Sequence, residues 1–188
     1  MILSSMLAAF GAFAQGRVEF SAHIVGHYDA PVFLGPIFGP EQPTGPAYMV
    51  QLYAGATASS LGPVGAPLPF RTMFAAGYWY STIVTIPASK IDATGISFVQ
   101  IRAWAIAAGP TFEAALATGS SFASSSVWTV TPTTAPDLPA IIARQTSFSF
   151  NVPEPSIMAL GALGGLALLT STQVARQKRT EQNLKSGF

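Results

Sequence analysis

The chain has 188 residues, of which 49% are hydrophobic and only 9% charged, with a net charge of +1 and no cysteine. That balance excludes a nucleic-acid binder, which needs a clustered basic surface, and it excludes disulfide frameworks, thiol chemistry and Cys-ligated metals. A domain of this composition is held together by apolar packing.

The first segment, Met1 to Phe13, is apolar apart from Ser4 and Ser5. Ala12-Phe13-Ala14 then offers the small-x-small pattern that a signal peptidase cuts, with Gln15 as the expected new N-terminus. Residues 1–14 are therefore read as a signal peptide. It lacks a positive n-region, so it is expected to be truncated at its start or atypical.

From Gln15 onward the pattern is that of strands. Arg17 to Ser21 alternates, with Val18 and Phe20 on one parity. Tyr48, Val50 and Leu52 share a face in the next run. Tyr78 to Ile86 is mostly aromatic and β-branched. Ile96 to Trp104 is the clearest case: Val99, Ile101 and Ala103 fall on one parity, Gln100, Arg102 and Trp104 on the other. Val127 to Thr131 and Thr146 to Phe150 complete the set. Segments of this length and composition, separated by Gly, Pro and Ser clusters, predict an all-β domain over 15–151. The expected form is an antiparallel β-sandwich or jelly roll. Within the domain only Thr111 to Ala117 reads as a helix, with Thr111 as N-cap and Gly119 as its stop.

Two connections stand out. Pro31 to Pro46 is too rich in Pro and Gly for regular structure. Its Val32, Phe33, Leu34, Ile37 and Phe38 are expected to pack over a sheet edge rather than stay in water. Gly55 to Pro63 lacks an Asn-Gly or Asp-Gly pair and reads as a plain flexible connection.

Candidate chemistry is sparse. His23, His27 and Asp29 share a strand parity and form an H-x-x-x-H-x-D cluster able to hold a metal. Gly26 interrupts the strand and no fourth ligand is evident, so solvent-facing histidines are the commoner reading, and neither a metal nor another cofactor is expected. No G-x-S-x-G elbow and no phosphate-cradling Gly loop occurs. Asp92 and Glu113 make a carboxylate pair only on arithmetic, because Glu113 fits the first turn of the helix. Tyr78, Trp79, Tyr80, Trp104 and Trp128 could stack on a sugar, with Trp79 and Trp104 as candidate ligand-surface residues; core packing is the commoner use of such rings. Trp104, on the parity of Arg102, is the better candidate for an exposed ring.

The C-terminal region has three parts. Val152-Pro153-Glu154-Pro155-Ser156 is a stiff extended segment, because each proline fixes its own φ and pushes the residue before it to extended geometry. Ile157 to Leu169 is an uncharged apolar run, and Ser156 is placed to cap it as a helix. Extended through Ala175 it reaches about 19 residues or roughly 28 Å, enough for a membrane span. Gly161, Gly164 and Gly165 suit a membrane helix better than a soluble core helix. Arg176, Lys178 and Arg179 then fall on the cytoplasmic side.

These three parts, in this order, resemble the PEP-CTERM sorting signal of Gram-negative bacteria. The likeness departs from the family pattern at the polar Thr170-Ser171-Thr172-Gln173 interval and at a polar tail, 180–188, which is expected to be disordered. Within the domain, Tyr48 to Gly55 (YMVQLYAG), Pro63 to Pro67, Val99 to Trp104 and Gly109 to Ala115 resemble the ectodomains of small PEP-CTERM proteins of Verrucomicrobia and relatives. The resemblance implies a sorting signal over 152–179 that is cut by an exosortase near Pro-Glu-Pro. The protein would pass from the inner membrane to the cell surface or extracellular matrix. The expectation is a non-enzymatic, membrane-tethered surface protein of structural or interaction type, with exosortase, membrane and extracellular polysaccharide as partners and no nucleic acid. A carbohydrate-binding module is the alternative, and a secreted hydrolase stands behind it.

Overall fold

The structure, a computed structural model, describes residues 15–119, 121–143 and 145–150. All of them belong to the first of the two units into which the chain divides, Met1–Val152. The expected signal peptide with Ala12 and Ala14, the Val152 to Ser156 motif, the apolar run, the basic cluster and the tail lie outside the described residues. Among the described residues no helix is long and apolar enough to cross a membrane.

The described region is mostly β. Its strands in chain order are β1 (Gly16–Phe20), β2 (His23–Ile24), β3 (Tyr28–Asp29), β4 (Val32–Phe33), β5 (Tyr48–Gly55), β6 (Gly62–Pro69), β7 (Thr82–Ile86), β8 (Ser97–Ala105), β9 (Phe122–Ser124), β10 (Trp128–Val130), β11 (Ala140–Ile141) and β12 (Phe148–Ser149). One α-helix, α1 (Phe112–Thr118), interrupts them between β8 and β9. Its limits follow the caps read from sequence. The Thr111 hydroxyl accepts a bond from the Ala114 amide at 3.2 Å, and Gly119 ends the helix at φ 70, a conformation that costs glycine little.

Three strands form one sheet in the order β11-β1-β7. A larger sheet runs β10-β8-β5-β6, with β9 also pairing β8. The pairs β2-β3 and β4-β12 are separate two-stranded ladders. Most pairings are antiparallel, but β1-β11 and β4-β12 are parallel, so the ladders are not antiparallel throughout as the sequence reading expected. Both involve two-residue strands brought together by distant chain segments, which local periodicity does not reveal.

Strand β8 is the axis of the larger sheet. It pairs β5 over its whole length, Ser97 excepted, and on its other edge it pairs β10 at one end and β9 at the other. Between β9 and β10 the ladder breaks at Ser125. There the Ile101 amide donates to the Ser125 hydroxyl at 3.0 Å, while the Ser125 amide donates to the Ile101 carbonyl at 2.9 Å. A side chain thus completes what a regular strand would supply and satisfies the Ile101 amide.

The strand phases follow the sequence. Val18, Phe20, Val50, Leu52, Val99, Ile101 and Ala103 are all buried in one cluster, to which β1 and β7 contribute from the smaller sheet and β5 and β8 from the larger. Gln100 and Arg102 are only partly buried on the opposite face of β8. That face is not left to water. Phe112 and Ala115 of α1 pack there against Tyr53 and Trp104, forming a second cluster.

Three loop and strand expectations need correcting. Tyr78 to Ser81 is not strand; β7 begins only at Thr82. In the Pro31 to Pro46 segment, Val32 and Phe33 are buried, Leu34 packs on the core and Pro43 is fully buried, but Ile37 and Phe38 are exposed. Phe38, at φ 67, is 85% exposed and meets the Phe33 ring edge to face at 5.8 Å. The Gly55 to Pro63 connection is not a plain flexible link. Thr57 and Ser60 bond each other through backbone and hydroxyl groups, including Thr57 amide to Ser60 Oγ at 3.0 Å.

Truncating Ile101 should therefore open a cavity where the two sheets share their core. We expect Ile101→Ala to cost about 2–5 kcal/mol in denaturant unfolding. Ile83→Ala, on the exposed face of β7, should cost less than about 1 kcal/mol. Equal losses at the two positions would contradict the assigned strand phase.

Candidate functional site

Two clusters of titratable groups stand out among the described residues. The first lies over the outer face of β8. The Arg102 guanidinium sits on the rings of Tyr53, at 4.2 Å, and Phe112, at 4.8 Å. Its Nη1 is 3.7 Å from Glu113 Oε1, and the Tyr53 hydroxyl donates to the same oxygen at 2.8 Å. Arg102 Nε also donates to Gln100 Oε1 at 2.8 Å, and the Gln100 amide passes the chain on to the Ser125 carbonyl. Burial first, then the Glu113 carboxylate, pushes the Tyr53 phenol well above its ordinary range, with Arg102 opposing. These bonds fasten α1 to the sheet through Glu113 Oε1, while Glu113 Oε2 has no partner among the described residues. Asp92 is occupied in the same way. It accepts from the Thr94 hydroxyl, the Ile96 amide and the Thr94 amide, in that order of effect on its acidity, and these bonds hold its carboxyl below the usual carboxylate range. Glu113 and Asp92 are thus both committed to local structure.

The second place is built by the β2-β3 hairpin and the segment from Arg71 to Tyr80. Gly26, at φ 79, makes the turn of the hairpin, and the His27 amide closes it onto the Ile24 carbonyl at 3.0 Å. The turn brings His23 opposite Asp29 in register. His23 Nδ1 lies 3.4 Å from Asp29 Oδ1, and the Tyr78 hydroxyl donates to that oxygen at 2.8 Å. His23 and Tyr78 also meet edge to face, with ring centres 6.5 Å apart. The Tyr78 phenol is pushed up to about 12 by burial and, after that, by its bond to the Asp29 carboxylate and that group's charge. His27 remains in the exposed turn, and among the described residues no three His, Asp or Glu side chains gather as a metal would require.

Across from the hairpin, the Arg71 amide donates to the Tyr78 carbonyl at 2.7 Å, closing a compact loop whose centre is a 3-10 turn, Met73–Ala75. The Arg71 guanidinium lies over the Tyr80 ring at 4.9 Å. Phe74 projects from the loop with its ring in solvent, and Tyr80 is 70% exposed. His23, Asp29, Arg71, Phe74, Ala75 and Tyr78 line an open depression of about 300 Å³.

The two tryptophans named from sequence are not part of any surface. Trp79 is 2% exposed and packs on Phe20 and Phe70, with ring centres at 5.0 and 6.0 Å. Trp104 is 1% exposed beneath α1, so the expectation of an exposed ring there is overturned. Its parity was read correctly, but parity tells which face a side chain takes and not what covers that face. Trp128 is likewise packed against the main core. Of the aromatics first considered, Tyr78 and Tyr80 are the ones that line or flank the depression. Arg71 and Phe74 escaped the sequence reading. Their signal was the apolar pair Met73-Phe74 set beside an arginine in a segment with no strand alternation.

No protein-family model, no curated protein and no solved structure matches the chain.

The Tyr78-Asp29 bond has a measurable consequence. Because the folded phenol titrates above the unfolded value of about 10, its contribution to stability is complete below that pH and is lost as pH rises through about 12. The difference in phenolate absorbance between the parent and Tyr78→Phe should report that midpoint. Asp29→Asn should bring it down, though not to the unfolded value, since burial persists. A midpoint unchanged by Asp29→Asn would mean the bond does not form in solution.

Proposed function

We propose that the chain is an exported, non-enzymatic surface protein of structural or interaction type. Its C-terminal region acts as a PEP-CTERM signal, read and cut by an exosortase. In this reading residues 1–14 direct export and Val152 to Ser156 is the processing motif. Ile157 to about Ala175 spans the inner membrane in transit, and Arg176, Lys178 and Arg179 hold the cytoplasmic side. The mature domain ends at the cell surface or in the extracellular matrix of a Gram-negative-type bacterium. We read the two larger sheets, whose apolar faces feed one core, as the layers of a β-sandwich.

One observation carries the reading: where the domain's packing stops. Phe150 is buried in the main core, its ring meets Tyr48 edge to face at 5.5 Å, and its amide donates to the Phe33 carbonyl at 2.8 Å. Three residues later Pro-Glu-Pro begins, and the division between the chain's two units falls at Val152 and Pro153. A cut in that motif removes nothing from the described core. The non-enzymatic reading rests on the local bonds that Glu113 Oε1 and Asp92 Oδ1 make.

The test is the mature C-terminus. The chain expressed in an exosortase-positive host should appear at the surface with a mass that ends near Pro153 to Pro155 and lacks Phe188. Deleting Arg176, Lys178 and Arg179 should weaken membrane retention or orientation. Surface-exposed protein that all retains Phe188 would sink the proposal.

A further inference from the structure

We propose that the depression between the β2-β3 hairpin and the Arg71 to Tyr80 segment binds a neutral pyranose of a glycan chain. The inference stands apart from the sorting signal, since every residue it uses lies in the domain.

Three features of the site select such a ligand. The first is an aromatic platform. Phe74 is 104% exposed, yet it stands on a loop fixed by bonds from Arg71 to Tyr78, Ala76 to Met73 and Tyr78 to Ala75. The same loop is tied to the core segment beside it, because the Gly77 amide donates to the Pro43 carbonyl at 2.9 Å and the Val32 amide to the Gly77 carbonyl at 3.0 Å. Met73 holds φ 59, a conformation uncommon for a non-glycine residue. The loop backbone that carries the ring is already bonded and loses little freedom on binding. The ring offers its face to the C–H side of a flat ligand.

The second feature is open hydrogen-bonding capacity of both kinds. Among the described residues the Arg71 guanidinium has no hydrogen-bond or ion-pair partner, only the Tyr80 ring beneath it. Asp29 uses Oδ1 for Tyr78 and His23 and leaves Oδ2 without a described partner. The site therefore shows a fan of donors and a charged acceptor, which hydroxyl groups satisfy at once, since each hydroxyl both donates and accepts.

The third is charge. The permanent charges are one carboxylate and one guanidinium, so the depression favours neither an anion nor a cation. A ring with hydroxyls on its edge and C–H groups on its face meets all three conditions. The Tyr78 bond to Asp29 Oδ1 holds the carboxylate in place before any ligand arrives, which leaves less ordering to be done on binding.

The experiment uses the full 188-residue chain on an array of neutral hexose glycans, uronate glycans and sialylated glycans. Hits are followed by titration calorimetry. We expect saturable binding to at least one neutral hexose glycan, little changed between low and high salt, and weakened about tenfold or more by Phe74→Ala. Arg71→Gln should also weaken it. Leu138→Ala, another exposed apolar position, should leave it unchanged. Phe74 makes no described packing contact with the core, so the loss cannot be charged to unfolding, and the thermal midpoint of Phe74→Ala should match the parent. No neutral-glycan signal, binding indifferent to Phe74→Ala, or binding only to acidic glycans that falls steeply with salt would each overturn the proposal. So would phosphatidylcholine-vesicle binding that Phe74→Ala abolishes with no glycan binding beside it, since Phe74 would then be a lipid contact.

Discussion

The structure depends on one constraint: β8 has to bury both of its faces. A strand whose alternate residues are Val99, Ile101 and Ala103 supplies one apolar side and nothing more is needed there than a second sheet. The other side carries Gln100, Arg102 and Trp104, a mixture that neither water nor a hydrocarbon core accommodates alone. The fold answers with a seven-residue helix that covers Trp104, supplies a ring for the Arg102 guanidinium and places Glu113 within reach of its charge. The cation thus lies against two rings, is paired and is partly solvated at once, which avoids the penalty of an isolated buried charge. Ser125 solves the matching problem on the edge of the same strand, where the register shifts by one residue between β9 and β10.

What was legible in the sequence was whatever obeys a local period or a local cap. The phase of β8, β5 and β1 could be read from alternation, and α1 from Thr111 and Gly119. Strand β6 could not, because Gly62, Pro63, Gly65, Pro67 and Pro69 argue against a strand, and it exists only as the edge of its sheet, where missing amides do no harm. The two-residue strands were invisible for a related reason: their pairing is imposed by distant segments. Trp104 shows the limit most plainly. Alternation placed it with Arg102, and that is where it lies, but only the tertiary structure could say that a helix closes over it.

The depression near Asp29 was half legible. The common parity of His23 and Asp29 suggested convergence, and they do converge, but through a hairpin turn at Gly26 that leaves His27 out. Tyr78, separated from Asp29 by many residues, completes the array, a relation no spacing could announce. The depression is assembled from a hairpin and a loop, while Glu113 sits in the first turn of α1, as its place in the sequence suggested, and Asp92 bonds its own turn.

The central claim is that β8, clamped on both faces and both edges, is the last element to come apart. Native-state amide hydrogen exchange on the full chain tests it directly. The account predicts that the amides of Val99 to Trp104 exchange only through global unfolding, more slowly than those of β2, β3 and the Arg71 to Tyr80 loop. Exchange of the β8 amides through a local opening, ahead of β1 and β7, would contradict it.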